Sequence, residues 1–148
     1  MRYNKYRVAP VEERTFRGVV YHSKAEAIRA QQLYMTPDLT VVRQVEYTLG
    51  CPENRFVVDF FIMLTECPWL NRVGADGKVE HIDVPNGYVE EVKGMETPDF
   101  KRCKKLWRKY GPVPMVVLKA KKNGLWDREF IVPGEEAPKV KRKARKAT

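Results

Sequence analysis

One ten-residue segment, RFVVDFFIML (Arg55 to Leu64), limits what this chain can fold into more than any other feature. It is apolar at odd and even positions alike, so as a strand it must be covered on both faces, which calls for a layered α/β domain with helices on each side of a sheet. A lone acid, Asp59, interrupts it. In a strand covered on both faces a carboxylate has to be paired, metal-bound or set at an opening in the sheet. The 148 residues provide for a single domain of ordinary size, and 43% hydrophobic residues supply a core and exclude wholesale disorder.

The flanking segments supply the rest of such a domain. SKAEAIRAQQLYM (Ser23 to Met35) reads as a helix that starts at a capping Ser with a Glu three residues later and stops before Pro37. VVRQVEY (Val41 to Tyr47) is a strand, RFVVDFFIML is expected at the sheet's centre, and YVEEVKG (Tyr88 to Gly94) follows as a further strand. Residues 65–87 between them hold Pro68, a turn signal at Asp76-Gly77 and an alternating piece, which predicts a hairpin insertion. Thr97 caps and Pro98 opens a second helix, PDFKRCKKLWRKY, with Phe100, Cys103, Leu106, Trp107 and Tyr110 on one apolar stripe. Trp107 and Tyr110 are therefore expected in the core. The opposite face carries Lys101, Arg102, Lys104, Lys105, Arg108 and Lys109, and VPMVVLKA (Val113 to Ala120) then adds a strand, with DREFIVP as an edge strand after it.

Charge is concentrated at the ends. Of the net +9, three basic residues lie in residues 1–9 and six in residues 137–148 (Lys139, Lys141, Arg142, Lys143, Arg145 and Lys146), leaving Pro10 to Glu136 formally neutral. This predicts a basic N-terminal arm over residues 1–20, a folded domain over 21–136 and a basic disordered tail over 137–148, arms suited to a polyanion. The longest apolar run, Phe60 to Leu64, is far short of the roughly 20 residues of a membrane span, so no membrane is expected as partner. Three cysteines and an N-terminus without an apolar stretch point to a reducing cytoplasm. Neither they nor His22 and His81 are spaced as a zinc site.

Three charged groups fall where a covered sheet should not have them: Asp59, Glu91 and Lys93. Glu91 and Lys93, two apart on a strand, share a face, while Glu90 points to the other. If the two strands adjoin, two carboxylates and an ammonium converge. A hard divalent cation such as magnesium suits Asp59, Glu91 and the carbonyl of Val92, and would polarise a phosphate and help to activate water. Lys93 would orient or deprotonate that water or balance charge growing on the phosphorane.

Asp59 followed by Glu91-Val92-Lys93, in the element order helix, strand, strand, strand, helix, strand, resembles the PD-(D/E)XK nucleases. The wider pattern of YHSKAEAIRAQQL, VEY, FVVDFFI, YVEEVKGMETPDFKRCKKLW and VPMVVL, spanning roughly Tyr21 to Lys119, is similar to the small phage-type endonucleases related to the phage endonuclease I class of Holliday-junction resolvases. Val58 stands where the family name has Pro, and Pro98-Asp99 is a decoy in a helix's first turn, where Asp99 suits the helix dipole. The resemblance implies a restriction-endonuclease-like αβββαβ core, a central mixed sheet flanked by helices. It also implies metal-dependent cleavage of DNA phosphodiesters, with Glu26 as a further acidic member of the site, magnesium as cofactor and manganese able to replace it. Branched or junction DNA would be the substrate in phage recombination or replication, a homodimer would supply two active sites, and the setting would be the cytoplasm of a phage-infected or prophage-bearing bacterium.

Plainer readings stand beside these. Glu26, taken alone, completes a capping box with Ser23, and the basic face of the second helix, taken alone, is a solvated surface. In a nuclease Lys101, Arg102, Lys104 and Lys105, with Lys141, Arg142 and Lys143 of the tail, would hold backbone phosphates. The rivals are a non-catalytic basic DNA-binding protein and a nuclease of the same fold that reads sequence on linear duplex. His22 and His81 are assigned no role.

Overall fold

The computed structural model describes residues 8–139. A five-stranded mixed sheet lies between two helices, an α/β arrangement. Along the chain come a 3-10 turn (Val11–Arg14), β1 (Thr15–Phe16), β2 (Val19–Val20), α1 (Lys24–Met35), β3 (Leu39–Thr48) and β4 (Arg55–Leu64). Then follow β5 (Trp69–Val73), β6 (Val79–Asp83), β7 (Tyr88–Val92), α2 (Pro98–Tyr110), β8 (Met115–Ala120) and β9 (Trp126–Ile131). The main sheet runs β3-β4-β7-β8-β9, with β7 and β8 parallel and the other neighbours antiparallel. β5 and β6 pair with each other as the expected hairpin. The central strand is β7 rather than β4, because the crossover through α2 adds β8 and β9 beyond it.

Half of the expected N-terminal arm is folded. Residues 11–20 form the 3-10 turn and the β1–β2 hairpin. Arg14, counted from sequence among the chain's cations, is structural: its guanidinium donates to the carbonyls of Ala9 and Tyr21. Phe16 meets Tyr34 of α1 edge to face with centroids 5.8 Å apart, so the hairpin docks through aromatic packing rather than trailing as a charged arm. Residues 1–7 and 140–148, with Lys141, Arg142 and Lys143, lie outside the described residues. No helix among the described residues is long and apolar enough to cross a membrane.

Each helix closes one layer. α1 buries Glu26, Ala27, Ala30 and Leu33 against Phe60, Ile62, Tyr88, Val116 and Leu118. α2 buries Phe100, Cys103 and Trp107 against Val58, Val89, Met115 and Val117. Trp107 is wholly buried and its indole N–H donates to the Val113 carbonyl, so the largest side chain of the layer leaves no unpaired polar atom. Full burial of such a side chain contributes about 1.5–3 kcal/mol. Tyr110, expected beside it, is instead 44% exposed and rests against Gly50 at the rim. Gly87 opens β7 at φ +85°, where a Cβ would stand 2.7 Å from the Ile62 carbonyl oxygen, so β7 can approach β4 this closely only with glycine there.

One row of the sheet departs from simple alternation. Phe60 and Ile62 of β4 pack under α1, whereas Phe56 and Val58 of the same parity pack under α2. β3 does likewise, with Leu39 and Val41 on the α1 side but Val45 and Tyr47 on the α2 side. Both strands therefore turn over together between the pairs Arg43↔Phe60 and Val45↔Val58. The residues of that row are Gln44, whose φ is +53°, and Asp59. Left-handed backbone at a non-glycine residue inside a strand costs of the order of 1–3 kcal/mol and persists only where its surroundings over-determine it.

Candidate active site

The turnover of β4 sends Asp59 into neither apolar layer. Antiparallel pairing of Phe60 with Glu90 continues the register to place Asp59 opposite Glu91. There side chains stand in for the ladder: the Asp59 N–H donates to Glu91 Oε2 at 3.0 Å, and the Val92 N–H donates to Asp59 Oδ2 at 2.8 Å. The strands are thus held together while both carboxyl groups occupy the gap between them. Lys93 lies on the Glu91 side, its Nζ 2.7 Å from Glu91 Oε1 and 4.7 Å from the Phe100 ring centroid. It borders a cavity of about 400 Å³ that runs along α2 past Phe100 and Arg102. Asp59, Glu91 and Lys93 therefore come together as the spacing predicts, whereas Val92 takes part through its N–H.

Glu26 reaches the same place from the first turn of α1. Ser23 Oγ accepts from the Glu26 N–H at 3.1 Å, and Glu26 Oε2 accepts from the His22 N–H at 3.3 Å. That is a capping box moved by one residue, with the Glu bonding the residue before the cap. Capping and membership of the acidic cluster are the same geometry here. One ligand atom from each of His22, Glu26 and Asp59 lies within 4.8 Å of the others, a spacing that a single ion could bridge. The Gln44 side-chain amide, carried by the left-handed residue of β3, points to Glu26 Oε1 at 3.5 Å.

The electrostatics of this cluster are unfavourable as it stands. Glu26, Asp59 and Glu91 are 3%, 8% and 3% exposed. Burial is the main reason all three carboxyls hold protons above the usual range. The Asp59 charge adds to the rise at Glu26 and at Glu91, and Glu91 is pushed up to about 7 although Lys93 opposes it. For Asp59, the Val92 N–H and the charge of Lys93 act against burial. Glu91 also helps burial to raise the Cys103 thiol to about 12, so Cys103 is an inert part of the α2 layer. The ligand atoms within reach of a single ion are two carboxyl oxygens and an imidazole nitrogen, from Glu26, Asp59 and His22, and a positive charge there would relieve the repulsion between the two carboxyls.

The basic residues divide into two groups. Lys101, Arg102 and Lys105 are exposed on α2, Arg102 donating to Asn54 Oδ1 at 2.7 Å. Lys104 belongs elsewhere: its side chain is 13% exposed and sits between Glu96 at 2.8 Å and Glu129 at 3.0 Å. Its charge is already balanced within the fold, which removes it from a phosphate-binding surface. Residues given no role by the sequence also enter. His22 faces Glu26 with Nδ1 3.7 Å from Oε2, a contact its spacing of four from Glu26 could have signalled. Arg29 of α1 forks onto Glu90 with bonds of 2.7 and 2.6 Å, which explains a fourth charge buried in the sheet. Comparison of the chain with protein-family models, with curated proteins and with solved structures gives no match.

Proposed function

We propose that this protein is a metal-dependent endonuclease that hydrolyses DNA phosphodiester bonds. The observation that carries the reading is the cross-strand bonding in which the Asp59 N–H donates to the Glu91 carboxylate and the Asp59 carboxylate accepts from the Val92 N–H, with Lys93 beside Glu91 and Glu26 beside Asp59. Asp59 and Glu26, with His22, would hold magnesium or manganese, and Glu91, bonded to the Asp59 N–H, would stand next to the ion with Lys93. When bound, such an ion would supply Lewis-acid polarisation of the phosphate and lower the pKa of a water so that it could act as nucleophile at neutral pH. Lys93 orients that water and balances charge on the phosphate as the bond to the leaving oxygen breaks. Because Lys93 is held on Phe100 and Glu91 before substrate arrives, little reorganisation is needed. Exposed Lys101, Arg102 and Lys105 hold backbone phosphates, so binding weakens with salt and carries little base preference. Branched or junction DNA, cut by a homodimer in the cytoplasm of a phage-bearing cell, is the substrate class that the sequence resemblance favours.

Asp59→Ala tests the catalytic reading. Cleavage of DNA in magnesium should be lost while affinity for the same DNA in EDTA is kept. A wild-type protein that binds DNA but cuts none in magnesium or manganese would instead be a non-catalytic binder. Cleavage of a synthetic four-way junction beside the linear duplex tests the finer reading, and equal rates would remove the junction preference.

A further inference from the structure

A second cavity, of about 410 Å³, lies beside the acidic cluster under the β1–β2 hairpin, within the size range of small-ligand sites. Three segments that build the cluster each supply the cavity with their next residue: Tyr21 beside His22, Arg43 beside Gln44, and Phe60 beside Asp59. On α1 the cavity touches Ala30, one turn beyond Glu26. That turn is about 5.4 Å, a displacement of one to two base steps at about 3.4 Å each. With Phe16 and Tyr34, four aromatic rings face the cavity among aliphatic side chains such as Leu33, Leu39 and Val41, and Arg17, stacked over the Tyr34 ring, supplies a second cation.

Arg43 makes the cavity more than a packing gap. Its guanidinium carbon stands 4.4 Å from the Tyr21 ring centroid, and its charge acts on both Asp59 and Glu26. Its Nε is buried with no hydrogen-bond partner. A buried guanidinium donor without an acceptor is costly, and a phosphate oxygen is the acceptor that its fork geometry matches best. Aromatic rings, a cation held at one side and an adjoining carboxylate site together fit a nucleotide, with base among the rings and phosphate at the cation.

We propose that this cavity takes one unstacked nucleobase of the strand being cut, with Arg43 contacting the phosphate next to it, so that the preferred substrate is DNA carrying an unpaired nucleotide. The inference rests on the phosphodiesterase reading above and adds the feature of DNA that the site selects. A base within a duplex cannot reach a cavity roofed by a hairpin, whereas an unpaired base enters at little cost of unstacking.

The test uses the full chain in EDTA, where binding is read without cleavage. The probes are a plain duplex and the same duplex with one unpaired 2-aminopurine. The wild type should bind the second about tenfold more tightly, the lower end of what one base stacked on an aromatic ring contributes, and should change its fluorescence. Tyr34→Ala, at a residue 58% exposed, and Arg43→Gln should each lose most of that preference while affinity for the plain duplex, whose stacked bases do not enter the cavity, changes much less than affinity for the unpaired probe. Equal affinity of the wild type for both probes, or a preference that survives both substitutions, would overturn the proposal. Metal-dependent cleavage of the plain duplex reports separately on the catalytic reading: cutting without base preference removes only the cavity's role, and base preference without cutting removes only the nuclease.

Discussion

Glu91→Gln should stabilise the metal-free protein at pH 8 while abolishing cleavage. Glu91 has its carboxyl raised from 4.5 to about 7, first by burial and then by the Asp59 charge. The native state therefore holds this proton longer than the unfolded chain does. Any stability linked to it is present below pH 4.5 and is lost as pH rises through about 7. The difference of about 2.5 pH units corresponds to about 3 kcal/mol at pH 8, at 1.36 kcal/mol per unit. Gln keeps the oxygen that accepts the Asp59 N–H and cannot ionise. The attraction of Lys93 opposes the rise and is already contained in that value of about 7, so it is not subtracted again. The gain of about 3 kcal/mol should raise Tm by roughly 9 °C in EDTA at pH 8, at about 3 °C per kcal/mol for a chain of this size. At pH 4.5 the two proteins should melt together. Thermal unfolding followed by circular dichroism across this range decides it. A Gln variant that melts below the wild type at pH 8 would refute the reasoning, because the charged Glu91–Lys93 pair would then be net favourable.

The same repulsion predicts a response to metal: magnesium at tenfold excess over its Kd should stabilise the wild type by about 1.4 kcal/mol at pH 8 and have much less effect at pH 5, as differential scanning calorimetry with and without EDTA would measure. Arg29→Met and Glu90→Leu should each cost about 3–5 kcal/mol in urea unfolding by leaving one buried charge unpaired, and the double substitution should recover most of the loss. Lys105→Ala should lower DNA affinity and reduce the slope of log affinity against log salt by about 1, whereas Lys104→Ala should leave that slope unchanged and lower stability instead, as salt titrations and melts of the two variants would show.

Element types were largely legible because they depend on local patterning. β4 and α2 have the bounds that apolar runs, Thr97, Pro98 and Gly111 imply, and Ser23 caps α1 as its residue type suggests. The hairpin over residues 69–83 follows from its Asp-Gly turn and alternation. The β1–β2 hairpin was not legible, since two strands of two residues around Arg17-Gly18 carry no periodicity and owe their place to packing on α1. The separation of Lys104 from Lys101 and Lys105 was hidden for a related reason. Helical phase marks all three as outward, but only the approach of Glu96 and Glu129 from other segments determines which of them is neutralised.

Of the site, the sequence by itself determined which side chains share a strand face and that Asp59 could not rest unpaired among apolar neighbours, because side-chain period and the cost of burying charge are local facts. Tertiary structure decided that β4 adjoins β7 in the register that sets Asp59 against Glu91, and that β3 and β4 turn over at Gln44 and Asp59. It also decided that His22 joins the cluster and that Arg43 and a cavity lined by aromatic and aliphatic side chains border it. Those outcomes depend on which distant segments come to lie side by side, a property of the whole folded chain that no window of residues contains.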